Sequence, residues 1–277
     1  MKKVLFTNGN SAAGGTLGPT GRMVAIAAAI KRQEPETEFL FRAAGSEKTN
    51  LEAHGFEVAT GYEPTLFGLP RFLDRWINKS MEQKASRPIP AVKDMEFVLR
   101  LKGMLTHEYL ERTLREELRL LEEYRPDCVY GSMDLLMPVA ARKLDIPYVA
   151  IGSAIMRSVY RSPLFPDHKS KDYTPRINTI LKKTGLPRVA HIRDLLFEYY
   201  ATKVLVPSVA ELEELPDDGR IVYCGSILPE ILCNHGFQWE KTRPLIYVYL
   251  SVGQLTPSTY IKVLGETFAD SPFDIIV

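Results

Sequence analysis

The sequence has no apolar run near the ~20 residues that a membrane-spanning helix needs. Two lysines stand at the N-terminus, but only Val4, Leu5 and Phe6 follow before polar residues, too few for a signal peptide. Cysteine is scarce. Cys128, Cys224 and Cys233 are three in number and scattered, which suits a reducing cytoplasm better than a disulfide framework. Only His235 stands beside Cys224 and Cys233, so the spacing of a zinc site is missing and no metal is expected. A surplus of one charge is missing too: Lys+Arg 35 against Asp+Glu 34 leaves a formal +1, and no global field draws the chain to nucleic acid. Histidine is rare, and none precedes His54.

What is there has the composition of a soluble globular protein, 45% apolar and 25% charged. At 277 residues, one large or two ordinary domains are expected. Residues 2–32 organise the reading. Val4–Phe6 is a short apolar run, as in a central strand covered on both faces. Asn8 to Gly21 follows with Gly9, Gly14, Gly15, Gly18 and Gly21, and from Arg22 to Lys31 an alanine-rich apolar segment reads as a helix that packs closely on a sheet. Strand, glycine-rich loop and helix, in that order, is where an open α/β sheet holds a ligand. Asn10, Ser11, Gly14, Gly15, Thr16 and Gly18 are the candidate ligand loop, and Arg22 is positioned to pair with a phosphate or carboxylate or to stand as an exposed helix-start residue.

Strands over Thr37–Arg42 and Gly55–Val58, with a short helix over Glu47–His54 between them, continue a β-α-β-α-β rhythm that predicts a parallel sheet. Residues 67–123 contain no good strand. Leu69–Met81 and Met95–Tyr124 have helical periodicity, the latter with a stripe of Leu110, Leu114, Leu118 and Leu121. Basic residues outnumber acidic ones between Leu69 and Thr106, which reads as a solvated helical face or as a rim for an anionic or lipid-linked substrate at a membrane periphery. The rhythm returns with strands at 128–132, 148–154, 203–208 and 220–224, and with helices over 134–144, 175–184 and 189–200. Ser132 and Ser153 close two of these strands at the edge where ligands gather. His54 caps a helix before Gly55, and His107, His168 and His191 read as surface residues. A last strand-helix-strand, 245–277, cannot bury both faces of its own sheet and is expected to open a second doubly wound domain or to self-associate.

Four stretches together resemble the GT-B glycosyltransferases that use nucleotide sugars. They are the opening strand with GPTGRMVAIAAAIK, then EAHGFEV, then RPDCVYGSMDLLMPVAARKLDIPYVAI, and RPLIYVYLSVGQ. The resemblance implies a Rossmann-like α/β acceptor-binding domain over 1–235, followed over 236–277 by a linker and the first βαβ of a nucleotide-sugar-binding domain. It implies transfer of a sugar from a nucleoside diphosphate sugar to a small-molecule or lipid-linked acceptor, with no further cofactor, and a chain that is not competent without the remaining donor-binding half. Gly253 matches the family's glycine near the donor phosphates, and Gln254 stands where a serine is usual.

Inverting members of that family place a catalytic histidine in the first loop and an aspartate after the fourth strand. Here Pro19 occupies the histidine position, and Gly131 or Ser132 the aspartate's, with Asp134 two or three residues later. Asp134 acting as base directly or through water, a divergent or retaining enzyme, and a domain that binds a glycan or partner without catalysing all remain open. Two other classes fit less well. Gly9 to Thr16 imitates a phosphate-binding loop, but Gly15 replaces the lysine that would clamp a terminal phosphate. An NADP-dependent reductase would use Arg42 at the end of the second strand for a 2′-phosphate, yet Asn8–Ala13 separate strand from glycine turn, and no Tyr-x-x-x-Lys pair occurs.

Overall fold

A computed structural model describes residues 2–9, 17–65, 68–70, 72–73, 94–161, 168–169, 171–197, 199–216, 218–228, 243–248 and 257–276. Within these the chain runs β1 (Lys3–Asn8), α1 (Leu17–Gln33), β2 (Glu38–Ala43), α2 (Gly45–Ala53), β3 (Glu57–Thr60), α3 (Met95–Leu101) and α4 (His107–Tyr124). It continues with β4 (Cys128–Ser132), α5 (Met137–Lys143), β5 (Tyr148–Ile151), α6 (Thr174–Thr184), α7 (Asp194–Phe197), β6 (Lys203–Val206) and β7 (Ile221–Tyr223). After residue 243 come β8 (Leu245–Tyr247), α8 (Pro257–Phe268) and β9 (Asp274–Ile276).

The first seven strands form one sheet in the order β3-β2-β1-β4-β5-β6-β7, every neighbouring pair parallel. Strand order reverses between β1 and β4. All the carboxyl ends therefore lie at one edge, with the switch point at the β1–β4 crevice. The central strands are apolar on both faces because helices cover both. On one face Met23 and Ala27 of α1 and Leu51 of α2 bury an aromatic layer in which Phe6 stacks on Phe41 at 4.9 Å and on Tyr130 at 5.2 Å. On the other, α3 to α7 supply Leu99, Leu110, Leu121, Val139, Ile177 and Leu196 to the larger core.

The leucine stripe of α4 lies inward as its spacing predicts, with Leu110, Leu114 and Leu121 buried; Thr113 and Glu117 are buried on the same helix. Three elements differ most from the sequence reading. The helical pattern over Met95–Tyr124 is two helices, because Gly103 turns through a left-handed conformation (φ +70°) and Thr106 caps the second, accepting the Tyr109 N–H at 3.3 Å. The helix expected over 189–200 is confined to α7, with Asp194 Oδ2 accepting the His191 N–H at 2.8 Å. The helix α1 begins at Leu17, so Arg22 sits in its second turn and Pro19 within its first, where a missing N–H costs nothing. Most of the helix expected over Leu69–Met81 lies outside the described residues. Among the described residues β8 and β9 pair only with each other, in parallel, and no described helix is long and apolar enough to cross a membrane.

Candidate functional site

At the switch point the backbones of β1 and β4 close on one another. Gly9 donates its N–H to the Ser132 carbonyl at 3.0 Å, and a Cβ on Gly9 would stand 2.2 Å from the Met133 carbonyl oxygen. The turn after β4 is made by Met133, in a left-handed conformation (φ +53°), and by Asp134. Asp134 is buried with both oxygens engaged. Oδ1 accepts the N–H groups of Leu136 and Met137 at 3.1 and 3.2 Å, while Oδ2 accepts the Thr7 hydroxyl at 2.7 Å and lies 3.5 Å from Arg42 Nη1. Asp134, the sequence candidate for the base, ties β1, β2 and the start of α5 together.

Arg42 is drawn inward by the same cluster. Its Nη2 lies 3.2 Å from Glu117 Oε1, both side chains are buried, and the guanidinium packs against Gly61, where a Cβ would stand 2.8 Å from its carbon. Burial works against the guanidinium charge, but Glu117 and Asp134 outweigh it and hold Arg42 more firmly protonated than usual. Burial, with Asp134 adding to it, pushes the Glu117 carboxyl well above the ordinary range. Burial likewise raises the Tyr109 and Tyr148 phenols. A guanidinium held between two carboxylates is not offered to a 2′-phosphate, which removes the footing of the reductase alternative.

A second polar node closes the edge beside β1. Glu47, in the first turn of α2, is buried and accepts hydrogen bonds from Asn8 Nδ2 at 3.0 Å and from the Thr20 hydroxyl. Lys102, at the C-terminal end of α3, is close enough for Glu47 to favour its charge, yet burial pushes it down to about 8. At the other end of α3, His168 Nε2 lies 2.5 Å from Asp94 Oδ2, and Asp94 Oδ1 caps the helix by accepting the Phe97 N–H at 2.5 Å. Two residues on, the buried Glu96 meets Arg193 Nε at 2.8 Å and His191 Nε2 at 3.3 Å, and Arg193 Nη2 donates to the Ser158 carbonyl at 3.0 Å. These groups carry chemistry that the sequence reading passed over, because each pair joins distant segments. The one local signal is the Asp94-x-Glu96 start of α3.

Of the remaining predicted residues, Ser132 is buried at the end of β4, Ser153 is half-buried at the N-cap of a 3₁₀ turn, and Gly18 is exposed on α1 beside the half-buried Arg22. Asn10, Ser11, Gly14, Gly15, Thr16, Gly253 and Gln254 lie outside the described residues. Among the described residues no three His, Cys, Asp or Glu side chains are grouped to hold a metal. Between the segment after β3 and the start of α4 lies a groove of about 350 Å³ whose walls include Tyr62, Leu69, Pro70, Tyr109 and Arg112.

No protein-family model and no curated protein matches the sequence. Solved structures do match the fold. The glycosyltransferase of kitacinnamycin aligns with a TM-score of 0.63 at 16% identity, over 99% of this chain and 64% of that one. The calicheamicin glycosyltransferase CalG4 aligns at 0.61 and 14% identity, over 99% and 63%. Spinosyn rhamnosyltransferase SpnG, solved with spinosyn aglycone, aligns at 0.56 and 16% identity, over 99% and 64%. The fold is that of the GT-B-type glycosyltransferases, and the chain spans about two thirds of the length of these structures.

Proposed function

We propose that this chain binds the acceptor of a GT-B-type glycosyl transfer, in which a sugar moves from a nucleoside diphosphate sugar to a hydroxyl of an apolar small molecule. The observation that carries the reading is the alignment of 99% of the chain, sheet and final βαβ alike, with glycosyltransferases of natural products. The surface supports it. The connections leaving β3 and β5 at the carboxyl edge expose Phe72 (71%) and Val159 (66%), and the adjacent groove is walled by Tyr62, Leu69 and Pro70.

In this reading residues 1–235 receive the acceptor, with the loop Asn10–Thr16, Gly18, Arg22, Ser132 and Ser153 around it. Residues 236–277 open the donor-binding unit, with Gly253 and Gln254 toward the donor phosphates. SpnG has been solved with thymidine diphosphate, which motivates a nucleoside diphosphate as the leaving group. A second reading, a domain that binds a glycan or partner without catalysing, draws on Pro19 and on the engagement of Asp134.

Because the chain spans two thirds of its structural neighbours, binding is the primary test. Calorimetric titration with a panel of macrolide, enediyne and aromatic aglycones is expected to give a Kd on the order of 10 µM for at least one hydroxylated member. Binding of free oligosaccharides with no aglycone bound would favour the second reading, and binding of neither class would sink both.

A further inference from the structure

A second, larger groove of about 540 Å³ adjoins the groove of Tyr62, Leu69 and Pro70. It runs between the end of β3, with Thr60, Tyr62 and Glu63, and one flank of α4, with Arg112, Glu116, Arg119 and Glu123. These four residues of α4 are spaced by three or four and so share one face of the helix. Tyr62 and Arg112 wall both grooves, with the Arg112 guanidinium 4.2 Å from the centre of the Tyr62 ring. The two grooves differ in character. The first has Pro64, Leu69 and Pro70 in its walls, whereas the second has charged side chains and only Ala59 and Leu120 as aliphatic ones.

Each guanidinium of the second groove is answered by a carboxylate. Arg112 Nε lies 3.1 Å from Glu116 Oε1, and Arg119 Nε 3.8 Å from Glu123 Oε1. Arg42, which also lines the groove, is held by Glu117 and Asp134. Glu63 Oε1 accepts the Gly45 N–H at 3.0 Å. No cationic surplus is left to draw in a phosphate or a carboxylate. What the groove presents is guanidinium donors and carboxylate acceptors side by side, opposite a hydroxyl and an aromatic ring. A sugar ring answers that pattern, because each of its hydroxyls both donates and accepts, and two neighbouring hydroxyls span an arginine and its glutamate. Exposed ion pairs of this kind contribute little by themselves, so sharing them with a ligand costs little. The volume is that of a small-molecule site.

We propose that the acceptor already carries a sugar, which the second groove holds while the apolar part of the molecule occupies the first. The proposal rests on the acceptor reading above and names the class of acceptor. Tyr62 and Arg112, common to both grooves, then stand beside the glycosidic link. An acceptor of this kind is the product of an earlier glycosyl transfer to the same aglycone, so the transfer that this chain serves is a later one.

Calorimetric titrations of the 277-residue chain compare each aglycone of the panel with its monoglycosides (glucoside, rhamnoside and an aminodeoxy glycoside), with methyl β-D-glucoside as the free sugar. At least one monoglycoside is expected to bind about tenfold more tightly than its aglycone. The double substitution Arg119→Ala and Glu123→Ala removes an ion pair whose side chains are 73% and 63% exposed, so the melting curve should be unchanged. It should erase the advantage of the glycoside and leave aglycone binding as it was. Aglycone binding with no glycoside advantage, or an advantage that survives the double substitution, overturns the proposal and leaves the acceptor reading intact. Methyl β-D-glucoside bound as tightly as any monoglycoside overturns it in favour of a domain that binds glycans alone. Binding of neither aglycone nor glycoside removes both the proposal and the acceptor reading.

Discussion

Arg42 faces two carboxylates, and the two are not equivalent. Asp134 receives the Thr7 hydroxyl and two backbone N–H groups besides the guanidinium, whereas neither Glu117 oxygen has a hydrogen-bond partner among the described residues. Burial therefore pushes the less well partnered carboxyl, Glu117, toward its protonated form. Its folded-state pKa lies above the unfolded one, so its contribution to stability is present in acid and is lost as pH rises through the folded value. Glu117→Gln is expected to flatten the decline in stability above about pH 5, with little change at the acid end. Arg42→Met leaves Asp134 buried without its counter-charge and should cost about 3–5 kcal/mol. Urea unfolding of both variants between pH 4 and 9 checks the pair; a Glu117→Gln profile parallel to the unaltered one would refute the assignment. Lys102 works in the opposite sense. Burial lowers it from 10.5 to about 8, so the folded chain holds fewer protons than the unfolded one between those values and stability rises with pH there. In Lys102→Met that rise should vanish, and stability at pH 7 should increase by about 1 kcal/mol.

Between α3 and α4 the chain turns because two glycines meet. Gly103 and Gly68 both have positive φ, and a Cβ on Gly103 would stand 2.2 Å from the Thr65 carbonyl oxygen and 2.7 Å from the Gly68 nitrogen. Gly103→Ala should therefore cost more than the ~1–2 kcal/mol of a left-handed alanine, since backbone rather than a mobile side chain blocks the methyl. Thr106→Ala removes a cap and should cost about 1 kcal/mol. A thermal shift no larger for Gly103→Ala than for Thr106→Ala would contradict the packing argument. This junction also shows what sequence can reveal. The parallel strands were legible because burial on both faces leaves short apolar runs such as VLF and YVAI, and the α4 stripe because its leucines recur at helical spacing. The break at Gly103 was not, since the apolar spacing continues through Met104 and Leu105 and the turn is enforced by residues 65 and 68 from another segment. The site follows the same rule. The sheet edge and Ser132 could be placed from strand ends, but the roles of Asp134, Glu47 and the His168–Asp94 pair depend on partners far away in the chain.

At the scale of the whole molecule the chain holds two unlike pieces. The seven-stranded sheet is covered on both faces, whereas the β8–α8–β9 piece exposes Tyr247 at 69%, Ile261 at 59%, Val263 at 49% and Phe273 at 40%. A two-stranded parallel ladder with one helix encloses too little apolar surface for independent stability. Its exposed residues make it the part most prone to pair with another surface, a second copy included. If residues 236–277 form a unit apart from 1–235, removing them should leave the main unfolding transition of the large sheet within about 3 °C of its original position, well under the shift that a lost core contact produces. Sedimentation velocity should show concentration-dependent association of the 277-residue chain. The double substitution Ile261→Lys and Val263→Glu should reduce it, because both side chains are more than 45% exposed and neither supports the large core. If the shortened chain melts far lower, the last piece is part of the main fold. If association is unchanged by the charged pair, the contact lies elsewhere on the surface.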